Sequence, residues 1–391
     1  MHHRFTSGLA LACMALAGTA CGQTATPAFE GQTDAPARDS GVTFEVTVLA
    51  EGLVHPWGME VLPDGTILVT ERAGTMRIVA ADGTKGPAIS GVPPVLAERQ
   101  GGLLDVALGQ DFATDRTIYW TYAKPLSSGM SATAAARGVL SADGTEVTDV
   151  VDIFVQDPPS PSPMHYGSRV IQDPSGPVWV TTGERFTETE RVLAQDLGTT
   201  YGKVVRVRPG GAPAEGNPFV GDAGALDTIW SYGHRNIQGA ALHPDTGVLW
   251  TIEHGPRGGD ELNIPLAGGN YGWPVVSYGV NYSGSAVGSG EASAEGMEQP
   301  IYYWDPVIAP GGMLFYQGAM FADWQGDLLI GSLNPGGIVR LELDGDRVIG
   351  EERPLTDQGR IRDVAVDAEG AILALVDAQN GALLRLTPGG G

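Results

Sequence analysis

The chain has 391 residues, among them 57 Gly and 27 Pro, with 42% hydrophobic residues, 18% charged residues and a formal net charge of −23. So many helix breakers exclude a long helical bundle or coiled coil, and regular short apolar runs exclude disorder for most of the chain. The negative charge and the absence of a Lys/Arg block exclude nucleic acid as an expected partner.

Residues 1–21 read as an export signal: Arg4 precedes the apolar stretch Leu9 to Gly18, and Gly18-Thr19-Ala20 is a small-residue cleavage site. A periplasmic or otherwise exported protein is expected. Both cysteines, Cys13 and Cys21, fall in this region, so a disulfide scaffold or Cys-ligated metal is excluded for the rest. Cys21-Gly22-Gln23 resembles a lipoprotein start, with Gly18 where Leu is usual, which makes Cys21 a candidate lipid anchor. Residues 22–42, rich in Thr, Ala, Pro, Gln and Asp, read as a flexible tether. No other segment is apolar enough to span a bilayer, so no transmembrane segment is expected.

From residue 43 to 391 one pattern recurs. A small or Gly-rich loop leads into an apolar strand, a turn near Asp, and a second apolar strand. The marker residues are Asp64, Asp111, Asp173, Asp245, Asp323 and Asp367. Such turns between apolar runs are hairpin signals. Six blade-sized units predict an all-β, six-bladed β-propeller of four-stranded antiparallel blades. Thr43 to Leu49 is placed to close the ring beside Leu383 to Leu386. A β-sandwich would explain the strands but not the six-fold recurrence.

In a propeller the loops entering the innermost strands crowd one mouth of the central channel. Here those loops carry Arg99-Gln100, His165, His234-Arg235-Asn236, Pro310-Gly311-Gly312 and Arg360-Ile361-Arg362. A loop histidine such as His165 serves either as a structural hydrogen-bonder or as a general base near neutral pH. Arg235-Asn236 reads as salt-bridged turn residues or as donors to an anionic or carbonyl-bearing ligand. Arg360 and Arg362 alternate and so share a strand face, as a carboxylate clamp or a salt-bridged edge. Glu253-His254-Gly255-Pro256-Arg257-Gly258-Gly259-Asp260-Glu261 is the densest cluster. Its glycines permit close approach and its oxygens suit calcium, although the spacing is not an EF-hand. His234, His243 and His254 lack zinc spacing, and no phosphate-binding loop is present.

Together these stretches resemble the soluble, pyrroloquinoline quinone (PQQ)-dependent aldose sugar dehydrogenases of the glucose/sorbosone type. The matching segments, in family order, are Thr70–Gly74, Arg99–Asp105, His165–Arg169, Gly233–Gly239, Glu253–Glu261, Gly269–Pro274, Pro310–Met313 and Arg360–Asp363. The resemblance implies a six-bladed propeller that oxidises aldoses at C1 to lactones and passes electrons to an unidentified acceptor. It implies that His165 takes the C1 hydroxyl proton while hydride passes to the quinone, and that Arg235 stabilises the developing negative oxygen. It implies PQQ contacts from Gln100, Asn236, Gly311, Gly312, Asn334, Arg360 and Arg362, with the Tyr282 ring against the cofactor. Ca2+ would be held by backbone oxygens of Gly255 and Pro256, and a second, structural Ca2+ by Glu261 and the backbone of Tyr271. Family members commonly carry Lys where this chain has Asn334, which removes one charge contact. The chain also lacks the long insertions of the glucose-preferring dimeric branch, and a monomer is expected. The alternatives are a non-catalytic propeller binding a sugar or another partner, and a calcium-dependent lactonase, which would need a more carboxylate-rich channel.

Overall fold

The computed structural model describes residues 26–390; the expected export signal over residues 1–21, with Cys13 and Cys21, lies outside the described residues. The chain forms six antiparallel sheets, each meander-connected from the centre outwards. Their innermost strands are Pro56–Val61, Leu103–Leu108, Gly167–Gln172, Ile237–Leu242, Pro310–Phe315 and Ile361–Val366. Each packs against the next and the last against the first, which makes a closed six-bladed β-propeller.

The marker aspartates take equivalent places. Asp64, Asp111, Asp173, Asp245, Asp323 and Asp367 all lie between the first and second strands of their blades. In several, the carboxylate accepts the N–H two residues on, as Asp64 does from Thr66 and Asp173 from Ser175. This local bond fixes the turn. These turns lie on the face opposite the loops that enter the innermost strands.

Second strands such as Ile67–Glu71, Val178–Thr182 and Leu328–Ser332 are buried throughout, because both of their faces meet a neighbouring sheet. The core is accordingly divided among the blade interfaces. Leu68 and Met76 meet Ile118 and Trp120 between the first two blades. Ile67 and Val69, from the alternate face of the same strand, meet Leu373 and Leu375 of the sixth.

The ring closes as expected: Phe44–Leu53 pairs antiparallel with the last strand, Gly381–Pro388. The first blade departs from the expected four strands and has three, Pro56–Val61, Ile67–Glu71 and Thr75–Val79. A fourth edge is only sketched, by Gly86 N–H to Ile78 O and Ile89 N–H to Met76 O. Pro87, Pro93 and Pro94 have no N–H to extend that ladder.

The described part of the expected tether is docked rather than free. The Gln32 side chain is fully buried, donates to Pro300 O and accepts from the Tyr278 hydroxyl. Ala35 N–H donates to the Tyr302 hydroxyl, Ala37 bridges Glu351, and Arg38 pairs with Glu342. Composition without apolar runs read as linker; polar contacts to blades four and five hold it instead.

Arg169, on the innermost strand of the third blade, reaches every other blade. It pairs with Asp105 at 2.7 Å and Asp363 at 3.1 Å, donates to Gln238 O, and lies over the Trp57 ring at 4.5 Å. Its Nη2 would stand 2.7 Å from a Cβ at Gly312. That Cβ would also overlap the Asp363 carboxylate, so the fifth blade approaches this closely only as glycine.

Candidate active site

The loops entering the innermost strands converge with those joining second and third strands at one mouth. His165 is buried, and its N–H donates to the Gln100 Oε1. Its Nδ1 lies 3.1 Å from Oε2 of Glu184, which also accepts the Phe186 N–H. His165 and Arg235 together hold Glu184 below the usual carboxylate range against its burial, so it is ionised and can only accept. The Nδ1–H therefore points to Glu184 and Nε2 keeps its lone pair, free of protein partners among the described residues. Burial lowers the His165 pKa below its ordinary value; Glu184 opposes this and Arg235 and Arg185 reinforce it.

Arg235 is buried beneath the same mouth, with Nη1 donating to His254 O at 2.8 Å and Gly255 O at 2.6 Å. Its guanidinium faces the Trp273 ring at 5.1 Å. Arg362 donates to Gln238 Oε1 at 2.8 Å and Asp377 Oδ2 at 2.9 Å. Both arginines leave a buried Nε without a partner. Arg360 is half exposed, donates to Leu333 O, and lies 3.5 Å from the same Asp377 oxygen, so the two alternating arginines do share a face. Asp377 is held well below the carboxylate range, chiefly by Arg362 against the cost of burial, and also binds His55.

His254 joins these groups. Its Nε2 lies 2.7 Å from Pro310 O, and burial with Arg362, Arg235 and His165 nearby pushes its pKa well down. It thus stays neutral among cations.

The remaining expected residues are distributed as follows. Asn236 is buried with Oδ1 accepting the Gly167 N–H, so its amide braces the His165 loop. Gly311 and Gly312 are buried against Arg362 O and the Asp363–Arg169 pair, in the wall of the channel. Asn334 is exposed beside Leu333, the residue that binds Arg360. Tyr282 is 64% exposed on a loop tied to the mouth by Arg191, whose Nη1 donates to Asn281.

Gly255 and Pro256 are buried at the mouth, with the Gly255 N–H fixed by Asp260. Asp260 also accepts from Ile308 and Ala309, joining blades four and five; burial outweighs these bonds and its pKa rises to about 7. Glu261 stands opposite Glu253 across the ladder, and burial together with that charge pushes its pKa well up. The buried Oδ1 of neighbouring Asn263 has no partner. Tyr271 is linked to this group indirectly: it stacks on His234 at 4.6 Å, and His234 Nδ1 binds Glu253 at 2.8 Å. Among the described residues no three His, Cys, Asp or Glu side chains are grouped to hold a metal. No described helix is long and apolar enough to cross a membrane.

Sequence reasoning missed Glu184 and Asp377, and it named Asp260 and Trp273 only as members of longer stretches without giving either its own role. Asp377 directly follows a buried second strand and Glu184 lies two residues beyond one, both at the mouth end. That position in the repeat was the available signal.

Comparison with known proteins agrees with this architecture. The family described as Glucose / Sorbosone dehydrogenase matches residues 53–385. Aldose sugar dehydrogenase YliI of Escherichia coli is 43% identical over 350 residues, covering 88% of this chain and 93% of that protein. The apo-form crystal structure of the soluble Escherichia coli aldose sugar dehydrogenase superposes with a TM-score of 0.85 at 42% identity, covering 89% of this chain and 100% of that one. The PQQ-bound aldose sugar dehydrogenase of Streptomyces coelicolor gives 0.72 at 27% identity, covering 90% and 100%. The chain belongs to the glucose/sorbosone dehydrogenase family of sugar-oxidising β-propellers.

Proposed function

We propose that this protein is a PQQ-dependent aldose dehydrogenase that oxidises C1 to the lactone. The observation that carries the reading is the juxtaposition of a base-competent His165–Glu184 pair with two buried arginines whose Nε groups have no partner. Buried N–H groups without acceptors are costly, and a polycarboxylate quinone supplies the acceptors they lack. Arg235, Arg360 and Arg362 form a cationic seat in a protein of net charge −23. Gln100, Asn236, Gly311, Gly312, Asn334 and Tyr282 complete its rim and wall.

For calcium, the orphaned Asn263 oxygen and the crowded Glu253–Glu261 pair are hard donors short of positive charge, which fits a structural Ca2+ held by Glu261 with the Tyr271 backbone. At the mouth, the carbonyls of Gly255 and Pro256 would hold a second Ca2+. Bound there, PQQ would supply the hydride acceptor that no side chain can provide, and Ca2+ would supply Lewis acidity. His165 Nε2 takes the C1 hydroxyl proton, and Glu184 orients the ring and stabilises the imidazolium formed. Arg235 provides a fixed positive charge where negative charge develops. The export signal in residues 1–21 supports a periplasmic site of action.

The test is reconstitution of purified protein with PQQ and Ca2+, followed by dye reduction with a panel of aldoses and by quinone absorbance. Turnover with a quinone absorbance change is expected. Quinone binding without turnover would make the protein a binding propeller, and neither would overturn the reading.

A further inference from the structure

Phe186 is 41% exposed beside the most enclosed part of the site. Its ring stands edge-on to the His165 imidazole, centroids 5.0 Å apart and planes at 79°. The backbone that presents it is costly. Arg185 and Phe186 both have left-handed φ values, 69° and 75°, and side chains other than Gly pay about 1 kcal/mol or more for each. Several interactions hold the turn, among them Arg185 bonds to Met164 O at 3.1 Å and to Ser131 at 3.0 Å. Glu184 accepts the Phe186 N–H, the Arg185 guanidinium stacks over Tyr166 at 3.8 Å, and Arg185 Nη1 donates to Gln156 at 3.2 Å. The buried Arg185 thus braces both the loop before His165 and the turn that leaves the Phe186 ring in solvent, and core packing does not account for that exposed ring.

Position accounts for it. Only Nε2 of His165 is free for a substrate, and a hydroxyl must come within about 3 Å of it to lose its proton. A pyranose bound there has its carbon skeleton within contact of a ring centred 5.0 Å from the imidazole. Val192 and Tyr282 are also exposed, on segments joined by the Arg191–Asn281 bond.

We propose that Phe186 is the aromatic platform against which the C–H surface of the aldose ring packs, and that it sets sugar affinity at this site. The assignment rests on the aldose dehydrogenase reading above. It acts through contact and not through the proton, so Phe186→Ala raises KM for reactive aldoses about tenfold, equivalent to about 1.4 kcal/mol. In the same variant kcat stays within about twofold, and quinone titration and the pH profile do not move. Phe186→Trp restores KM. An unchanged KM in Phe186→Ala, a fall in kcat alone, or no rescue by Trp would overturn the proposal. Should the wild type turn over no aldose, the reading of the reaction fails separately. Phe186 is then judged by fluorescence of the Phe186→Trp protein: glucose-dependent change against unsubstituted protein upholds the platform, and no change rejects it.

Discussion

Oε2 of Glu184 serves two partners at once, the Nδ1 of His165 at 3.1 Å and the N–H of Phe186. One carboxylate oxygen therefore fixes both the ring that takes the proton and the backbone turn beside it. Glu184→Gln removes the charge that raises the His165 pKa and leaves burial, Arg235 and Arg185 to lower it further. The acid limb of kcat/KM against pH, below about 6.5 in the wild type, moves to lower pH, and kcat falls by about a hundredfold. A pH–rate profile of both proteins measures this; an unmoved limb would remove Glu184 from the role.

Arg169 carries an analogous double duty in the channel. Truncation to Met leaves Asp105 and Asp363 buried without their cation, at a cost of about 3–5 kcal/mol. Adding Asp105→Asn and Asp363→Asn to Arg169→Met recovers part of the loss, because the uncompensated charges go with the arginine. Urea unfolding of the single and triple variants reads the difference.

Glu60 lies close to Asp105, Asp363 and Arg169, and burial with the two acidic neighbours raises its pKa from 4.5 to about 8. Between these values the folded state holds a proton that the unfolded state releases. Its contribution to stability is complete below about 4.5 and is lost as pH rises through 8. Asp105 and Asp260, raised to about 7, act in the same direction. Lys203, which burial lowers to about 7, works the opposite way above pH 7 in wild type and Glu60→Gln alike, so the two are compared directly: the Tm of the wild type should fall relative to that of Glu60→Gln from pH 5 to 8. An equally steep curve in the variant would contradict this.

Asn334 stands exposed next to the residue that binds Arg360. Asn334→Lys adds a positive charge at the rim of an anionic-cofactor seat. A gain of about two- to fivefold in quinone affinity is expected, the range of exposed ion pairs. Equilibrium titration of apo-protein with PQQ at low and high salt checks it, with the gain shrinking at high salt.

The repeat was legible because Asp64, Asp173 and their counterparts must fix tight turns, and turn chemistry is local. The mouth was legible in Gln100, His165, Arg235 and Arg362, since loops entering inner strands have one destination in a propeller. Glu184 and Asp377 were not, because their roles are defined by partners far away in sequence and they carry no local pattern. The three-stranded first blade escaped for a similar reason: Pro87, Pro93 and Pro94 allow both a fourth strand's path and its failure to bond. The docked segment around Gln32 looked like linker because polar contacts, the buried Gln32 amide first among them, and not an apolar run, anchor it.

The pairing of Phe44 with Pro388 has a temporal meaning. The strand Phe44–Leu53, which completes the sixth blade, is synthesised before the six innermost strands, and its partner Gly381–Pro388 after the other five blades. The ring therefore stays gapped until Gly381–Pro388 has been made, with Leu53 and Leu383 of the closing seam uncovered. Long-range closure of this kind is slow and comes late. The same seam makes Phe44–Leu53 and Gly381–Pro388 a clasp. Deleting the strand Gly381–Pro388 opens the circle while leaving the mouth and its side chains in the sequence.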